Sequence, residues 1–236
     1  TYEGAEGIEP SEFYRKMREG SMPQSQAINP AVVEETFRSV LAEGKDILYI
    51  SFASTLSSSY NVAAMTAKEL EEEFPEAKIC VVDSMNVSLS EGLLVHKAWK
   101  KKEAGCSLEE NVKWLEENKL HVCVKFTVDD LHHLQRGGRV SKTTAVVGSI
   151  LNIKPMMILD DSGQLKAVGT VRTRKKALMA LVDYMGEKIP GWEAENDMVA
   201  IVHGDCLKDA QFVAEQVKER FHIPEVMIND INPSIG

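Results

Sequence analysis

The sequence lacks the features that mark several common classes of protein. It has no apolar run long enough to cross a membrane and no visible signal peptide, so we expect a cytoplasmic location. It has no excess of positive charge either, and the net charge of −9 argues against general electrostatic binding to nucleic acid or anionic membrane. No acidic cluster has calcium or magnesium spacing, and we expect no cofactor. Its scattered cysteines show neither zinc-ligand spacing nor a disulfide framework (Cys80, Cys106, Cys123, Cys206).

The first half alternates apolar runs with amphipathic segments. Asp46–Ser51 and Ile79–Val82 are apolar runs typical of parallel strands buried on both faces. The segments around them predict helices, the last of which begins with a capping box formed by Ser107 and Glu110 (Ala31–Glu43, Val62–Phe74, Leu89–Glu103, Ser107–Asn118). This alternation indicates a parallel α/β sheet.

The second half has a different pattern. His121–Val128 alternates as a one-sided strand does, and Asp161-Ser-Gly163 predicts the turn of a β-hairpin. Further αβ units follow (helices Arg174–Lys188 and Leu207–Phe221, strands Met198–His203 and Glu225–Asn229). We therefore predict two domains, a parallel α/β lobe over 1–120 and a mixed α/β lobe over 121–236.

Arg136-Gly-Gly-Arg139 is a turn flanked by fixed positive charges. It is either a tight turn with solvated arginines or a hinge between lobes that presents cations to an anionic ligand. The apolar segment after it predicts a helix that ends before Pro155.

Hydroxyl side chains cluster after the first buried strand, where open α/β sheets bind ligands (Ser51, Ser54, Thr55, Ser57, Ser58, Ser59). Such a cluster suits a carboxylate or phosphate, and helix capping by serine is the simpler alternative. A nucleophilic serine is less favoured, because there is no Gly-x-Ser-x-Gly elbow and no histidine is selected by spacing. Arg172-Thr-Arg-Lys-Lys176 is a dense basic run at a helix start, either solvated or a docking surface.

A set of short motifs runs in order along nearly the whole chain: Met22-Pro-Gln-Ser-Gln26, Ser51-Phe-Ala-Ser-Thr-Leu-Ser-Ser-Ser-Tyr-Asn61, Val82-Asp-Ser84, Ser90-Glu-Gly92, Asp129-Asp-Leu131, Arg136-Gly-Gly-Arg-Val-Ser141, Leu151-Asn-Ile-Lys-Pro155, Asp161-Ser-Gly163, Val171-Arg172 with Lys175-Lys176, and His203-Gly-Asp205. Taken together, this ordered set resembles the DegV family of bacterial fatty-acid-binding proteins.

The resemblance implies a two-lobe fold, a Rossmann-like α/β/α lobe and a lobe with a mixed sheet, with a long-chain fatty acid such as palmitate between them. It implies that Ser25 and Ser57 bind the carboxylate. Gln24 and Ser58 stand where the family has other residues, and Arg139 is the candidate that supports the carboxylate network. Ala145–Ile153 would form a wall of the acyl tunnel. The family's first strand and its C-terminal His-Thr-Gly-Pro-Gly segment are not present in this sequence.

The resemblance further implies a non-catalytic carrier, as a monomer or weak dimer, that presents the fatty acid to a fatty acid kinase. Arg172, Arg174 and Lys175 would then be the docking surface, and transient membrane contact is compatible with that role. Two alternatives stay open: a serine-dependent hydrolase or acyl-transfer enzyme, and a binding module for another small anionic lipid.

Overall fold

The computed structural model describes residues 7–129, 131–141 and 152–233. Its contacts divide the chain into two units. Unit 2 comprises 26–122 and 161–164, and unit 1 comprises the remainder. The predicted lobes, 1–120 and 121–236, differ from these units mainly in the first 25 residues, which belong to unit 1. The fold is α/β with parallel and antiparallel strand pairs, as predicted.

Unit 2 is built on two parallel strands, β1 (Ile47–Ser51) and β2 (Ile79–Asp83). Its helices are α2 (Pro30–Ala42), α3 (Ser59–Glu73), α4 (Ser88–Glu103) and α5 (Leu108–Asn118), followed by a 3₁₀ turn over Lys119–His121. The capping box of Ser107 and Glu110 is present at the start of α5.

Two apolar clusters form the core of unit 2. In one of them, α2 and α3 pack with the strands through Phe37, Ala63 and Leu70. In the other, α4 and α5 pack through Leu94 and Leu115. Helices therefore enclose the strands, which explains why β1 and β2 read as apolar runs.

Unit 1 contains α1 (Pro10–Arg18), β3 (Lys125–Thr127), α6 (His132–Arg136), β4 (Ile153–Leu159), β5 (Leu165–Arg172), α7 (Arg174–Lys188), β6 (Met198–His203), α8 (Leu207–Phe221) and β7 (Glu225–Asp230). Strands β3, β4 and β5 form an antiparallel sheet, whereas β6 and β7 pair in parallel in a separate sheet. Helices α7 and α8 pack together over an apolar cluster around Val182 and Val217.

Helix α1 belongs to unit 1 because its side chains bind the carboxyl end of the β6–β7 sheet. The Tyr14 hydroxyl donates to the carbonyl of Ile231 at 2.9 Å, and Arg18 pairs with Asp205 at 2.6 Å. Both partners are about 200 residues away in sequence, so local patterns could not reveal this docking.

One prediction about the segment after Leu131 is wrong: Arg136-Gly-Gly-Arg139 lies wholly within unit 1, so it is not the connection between lobes. Of the helix predicted before Pro155, residues 142–151 lie outside the described residues, and Ile153 and Lys154 already pair with β5 at the start of β4. Pro155 precedes the residues of β4 that pair with β3, so its missing N–H falls where the strand has one partner. Of the predicted tunnel wall, residues 145–151 lie outside the described residues.

Candidate functional site

The carboxyl ends of β1 and β2 meet at one edge of the unit 2 sheet, where Ser51 pairs with Asp83. The segment 52–58, here called the serine loop, leaves β1 at this edge and leads into α3. A turn over 84–87 leaves β2 and leads into α4. Parallel strands thus bring the two polar segments together, as the sequence predicts.

The last residue of β2 and the turn after it hold the start of the serine loop. One carboxylate oxygen of Asp83 accepts the backbone N–H of Ser54 at 3.2 Å and that of Met85 at 3.0 Å. The carbonyl of Asn86 accepts the N–H of Ala53 at 2.9 Å. Asp83 therefore organises backbone, which is the simpler of the two roles that its position at a strand end allows.

The serine loop ends in a pair of linked hydroxyls. Ser57 Oγ and Ser59 Oγ are 2.8 Å apart, and Ser57 Oγ also accepts the N–H of Ser59 at 3.2 Å. Ser59 Oγ accepts the N–H of Ile28 at 3.2 Å. Either hydroxyl can be the donor within the pair, and in each case one hydroxyl proton remains for another acceptor.

Helix capping explains little of this cluster. Ser58 occupies the N-cap position of α3 but is exposed and makes no side-chain capping bond. Ser57 instead accepts the first helical N–H. The hydroxyl of Ser57 meets another hydroxyl there rather than an imidazole or carboxylate base, so the geometry favours hydrogen-bond donation over nucleophilic attack.

Two further polar atoms are buried at this edge. Within the described ranges, Ser51 Oγ and Asn86 Oδ1 have no hydrogen-bond partner. Both residues are almost fully buried, at 1% and 2% exposure. Glu91, in the first turn of α4, is half-buried, and this burial raises its pKa from 4.5 to about 7. The helix that follows this edge therefore begins with a carboxyl group that protonates near neutral pH.

The remaining predicted site residues lie in unit 1. Gln24 and Ser25 are exposed in the segment between α1 and α2. Arg139 follows Gly138 and donates from Nη1 to the carbonyl of Gly137 at 2.5 Å. Their predicted roles in carboxylate binding stay predictions.

The predicted docking residues flank the start of α7. Arg172 and Lys175 are exposed, whereas Arg174 is half-buried and donates from Nε to Asp209 at 2.8 Å. Its Nη2 lies 3.6 Å from Cys206 Sγ. The basic run is thus partly a structural tie between α7 and α8 and partly exposed charge.

Sequence reasoning placed Ser59 and Asp83 at the ends of the two strands without their partners, and it did not single out Glu91. Ser59 stood within the serine cluster, but its bond to Ile28 spans 31 residues and has no local signal. An aspartate that ends a strand before a tight turn is the signal that indicates the role of Asp83. The burial of Glu91 depends on packing around α4.

The sequence model described as "Uncharacterised protein, DegV family" matches residues 1–236. The chain belongs to the DegV family. A DegV domain-containing protein of Clostridium perfringens is 39% identical over 229 residues, which cover 97% of this chain and 78% of that protein.

Solved structures show the same fold. A DegV family protein from Ruminococcus gnavus, refined with vaccenic acid, is 28% identical with a TM-score of 0.84, covering 94% of this chain and 78% of that one. The fatty acid kinase (Fak) B3 protein of Streptococcus pneumoniae, loaded with linoleic acid, also has a TM-score of 0.84, at 23% identity, covering 94% of this chain and 77% of that one. DegV homologues thus bind fatty acids.

Two properties complete the description. No helix among the described residues is long and apolar enough to span a membrane. In the same ranges, no group of three histidine, cysteine, aspartate or glutamate side chains could hold a metal ion.

Proposed function

We propose that this protein binds a long-chain fatty acid whose carboxylate is held at the end of the serine loop by Ser57, with Ser58 beside it. The observation that carries the proposal is the linked pair of Ser57 and Ser59 hydroxyls at the start of α3. The fatty acids in homologous structures support the same ligand class.

The hydroxyl pair suits an anionic head group. The N–H of Ile28 donates to Ser59 Oγ, and if Ser59 donates in turn to Ser57, the Ser57 proton points outward as the end of a donor chain. Hydrogen bonds in such a chain strengthen one another, and a bond to a charged acceptor is stronger than a neutral one. The amino end of α3, a helix of 15 residues, adds favourable partial positive charge.

A fatty acid needs little else from the protein. Burial of its chain contributes about 0.8 kcal/mol per methylene, so tight binding requires an apolar lining and a satisfied carboxylate rather than catalytic groups. Gln24, Ser25 and Arg139 are further candidates for the carboxylate, each predicted from the family resemblance.

We further propose that the loaded protein serves as a carrier for a fatty acid kinase, which would supply ATP and the catalytic residues for acyl-phosphate formation. The exposed charges of Arg172 and Lys175 support a docking surface for an acidic face of that partner, with Arg174 held by Asp209 at its edge. This role follows the name of the pneumococcal homologue and the basic run in an otherwise acidic chain.

Native mass spectrometry of the purified protein tests the binding step. We expect the protein to retain a fatty acid, or after delipidation to take up one equivalent of palmitate or oleate. Hexadecanol and oleyl alcohol, which keep the same chains and lack the carboxylate, serve as the controls for the head group. A delipidated, folded protein that takes up no fatty acid would refute the proposal, and equal uptake of acid and alcohol would refute the role of the serine hydroxyls.

A further inference from the structure

The turn over residues 161–164 belongs to unit 2, although the strands that it joins, β4 and β5, belong to unit 1. Within this turn, the carbonyl of Gly163 accepts a hydrogen bond from Thr55 Oγ1 at 2.5 Å. Thr55 stands in the middle of the serine loop, 108 residues away in sequence. A turn from a distant part of the chain therefore rests directly on the candidate ligand-binding loop.

A side chain at Gly163 would crowd this contact. A Cβ there would lie 3.1 Å from Thr55 Oγ1 and 3.5 Å from both Ala53 Cβ and Met85 Cε. The residue also has a φ of +73°, which L side chains rarely adopt. The backbone conformation thus favours glycine, and an added Cβ would displace the Thr55 hydroxyl.

The contact completes the set of ties that hold the loop. Hydrogen bonds from Ala53 and Ser54 to the end of β2 and the turn after it hold its beginning, and the bond between Ile28 and Ser59 holds the residue that follows its end. The bond from Thr55 to Gly163 holds the middle, two residues before Ser57. Because Ser57 lies only two residues beyond Thr55, a shift of the backbone at Thr55 would change the direction of the Ser57 hydroxyl.

We infer that the turn over residues 161–164 is a positioning element for the serine loop, and that Thr55 and Gly163 are positioning residues for the hydroxyls of Ser57 and Ser59. The expected effect on fatty-acid binding rests on the proposed function, whereas the expected effect on the conformation of the loop does not. The turn acts through Thr55 and needs no contact with the ligand.

Hydrogen exchange of the delipidated protein tests the positioning directly. The amides of Leu56 and Ser57 donate to the carbonyl of Ala53, so their exchange reports opening of the loop. We expect Thr55→Val and Gly163→Ala to speed exchange of these amides about tenfold and to weaken fatty-acid binding roughly three- to tenfold, mainly through faster release. Thr55→Ser keeps the hydroxyl and should restore both values.

Two matched controls separate positioning from general destabilisation. Gly44→Ala changes a glycine of the same unit with a φ of +72° and no neighbour within 4 Å, and Thr36→Val removes a hydroxyl that donates to the carbonyl of Val32. Both should leave loop exchange and fatty-acid release unchanged.

Unchanged exchange of Leu56 and Ser57 in the Thr55→Val protein would overturn the inference, and this variant decides the matter if Gly163→Ala fails to fold. Faster exchange with equally tight fatty-acid binding would overturn it too. If the wild-type protein binds no fatty acid, the proposed function fails, and the exchange rates alone decide whether the turn positions the loop.

Discussion

Ser57 Oγ and Ser59 Oγ lie 2.8 Å apart at the start of α3, and together they accept two backbone N–H groups. The pair keeps one hydroxyl proton that neither backbone nor partner hydroxyl uses. A lone capping serine would accept a backbone N–H of the helix with its oxygen, and no second hydroxyl would orient its proton. The relationship between these two residues therefore distinguishes this segment from an ordinary helix start.

Removal of the outer hydroxyl should weaken ligand binding. We expect Ser57→Ala to lose about 1–3 kcal/mol of fatty-acid binding free energy, because a charge-assisted hydrogen bond to the carboxylate is lost. Ser39→Ala is the control, since it removes a hydroxyl that donates to the carbonyl of Thr36 on the exposed face of α2. Titration of the delipidated variants with a fluorescent fatty acid measures the difference, and equal affinity for both variants would exclude Ser57 from the site.

Reversal of the exposed positive charges at Arg172 and Lys175 should impair delivery of the fatty acid to the kinase and leave fatty-acid binding unchanged. We expect Arg172→Glu with Lys175→Glu to reduce acyl-phosphate formation by a bacterial fatty acid kinase at least tenfold, because rim charges chiefly steer association. Lys100→Glu makes the same kind of charge change at an exposed position in unit 2 and should have little effect. A kinase that turns over the double variant and the Lys100 variant equally well would contradict the docking role.

Much of the fold follows from the sequence because local rules decide it. Helices α7 and α8 and strand β6 have the predicted bounds, since each is a periodic segment with clear ends. The start of α1 follows a local rule too, because the helix begins at Pro10 and proline is well suited to the first helical turn.

The site is less predictable because it depends on contacts between distant segments. The position of the serine loop at a strand end follows from the α/β pattern, and the spacing of the serines from the sequence itself. The bonds of Ile28 to Ser59 and of Thr55 to Gly163 could not be predicted from the sequence, because no local preference relates residues that are 31 or 108 positions apart. The family resemblance, rather than periodicity, singled out Ser57 among the neighbouring hydroxyls.

The docking of α1 gives a prediction about stability. Tyr14→Phe removes the hydroxyl that donates to the carbonyl of Ile231 at 2.9 Å and keeps the ring that packs against Gly204. We expect a loss of about 0.5–1.5 kcal/mol in the free energy of unfolding, because a half-buried carbonyl loses its partner. Urea denaturation measures it, with Tyr60→Phe in unit 2 as a control for the chemical change. An unchanged midpoint for Tyr14→Phe would show that the bond does not stabilise the docking of α1.

The buried carboxyl group of Glu91 gives a prediction about pH. Because burial raises the pKa of Glu91 from 4.5 to about 7, the folded protein holds this proton more tightly than the unfolded chain does. The resulting stability is fully present below the unfolded pKa and is lost as the pH rises through about 7. Glu91→Gln stays neutral, so its stability relative to wild type should increase between pH 4.5 and pH 8 by about 1–3 kcal/mol.

Paired urea titrations of wild type and Glu91→Gln across that pH range isolate this effect, because other ionisable groups are common to both proteins. Glu72→Gln on the exposed face of α3 is the matched control and should show a nearly constant difference from wild type. The nearby Tyr49 adds little below pH 8, because its pKa is raised by its own burial and by the charge of Glu91. A Glu91→Gln difference that does not change with pH would mean that Glu91 is ionised in the folded protein at neutral pH, which its burial at the first turn of α4 argues against.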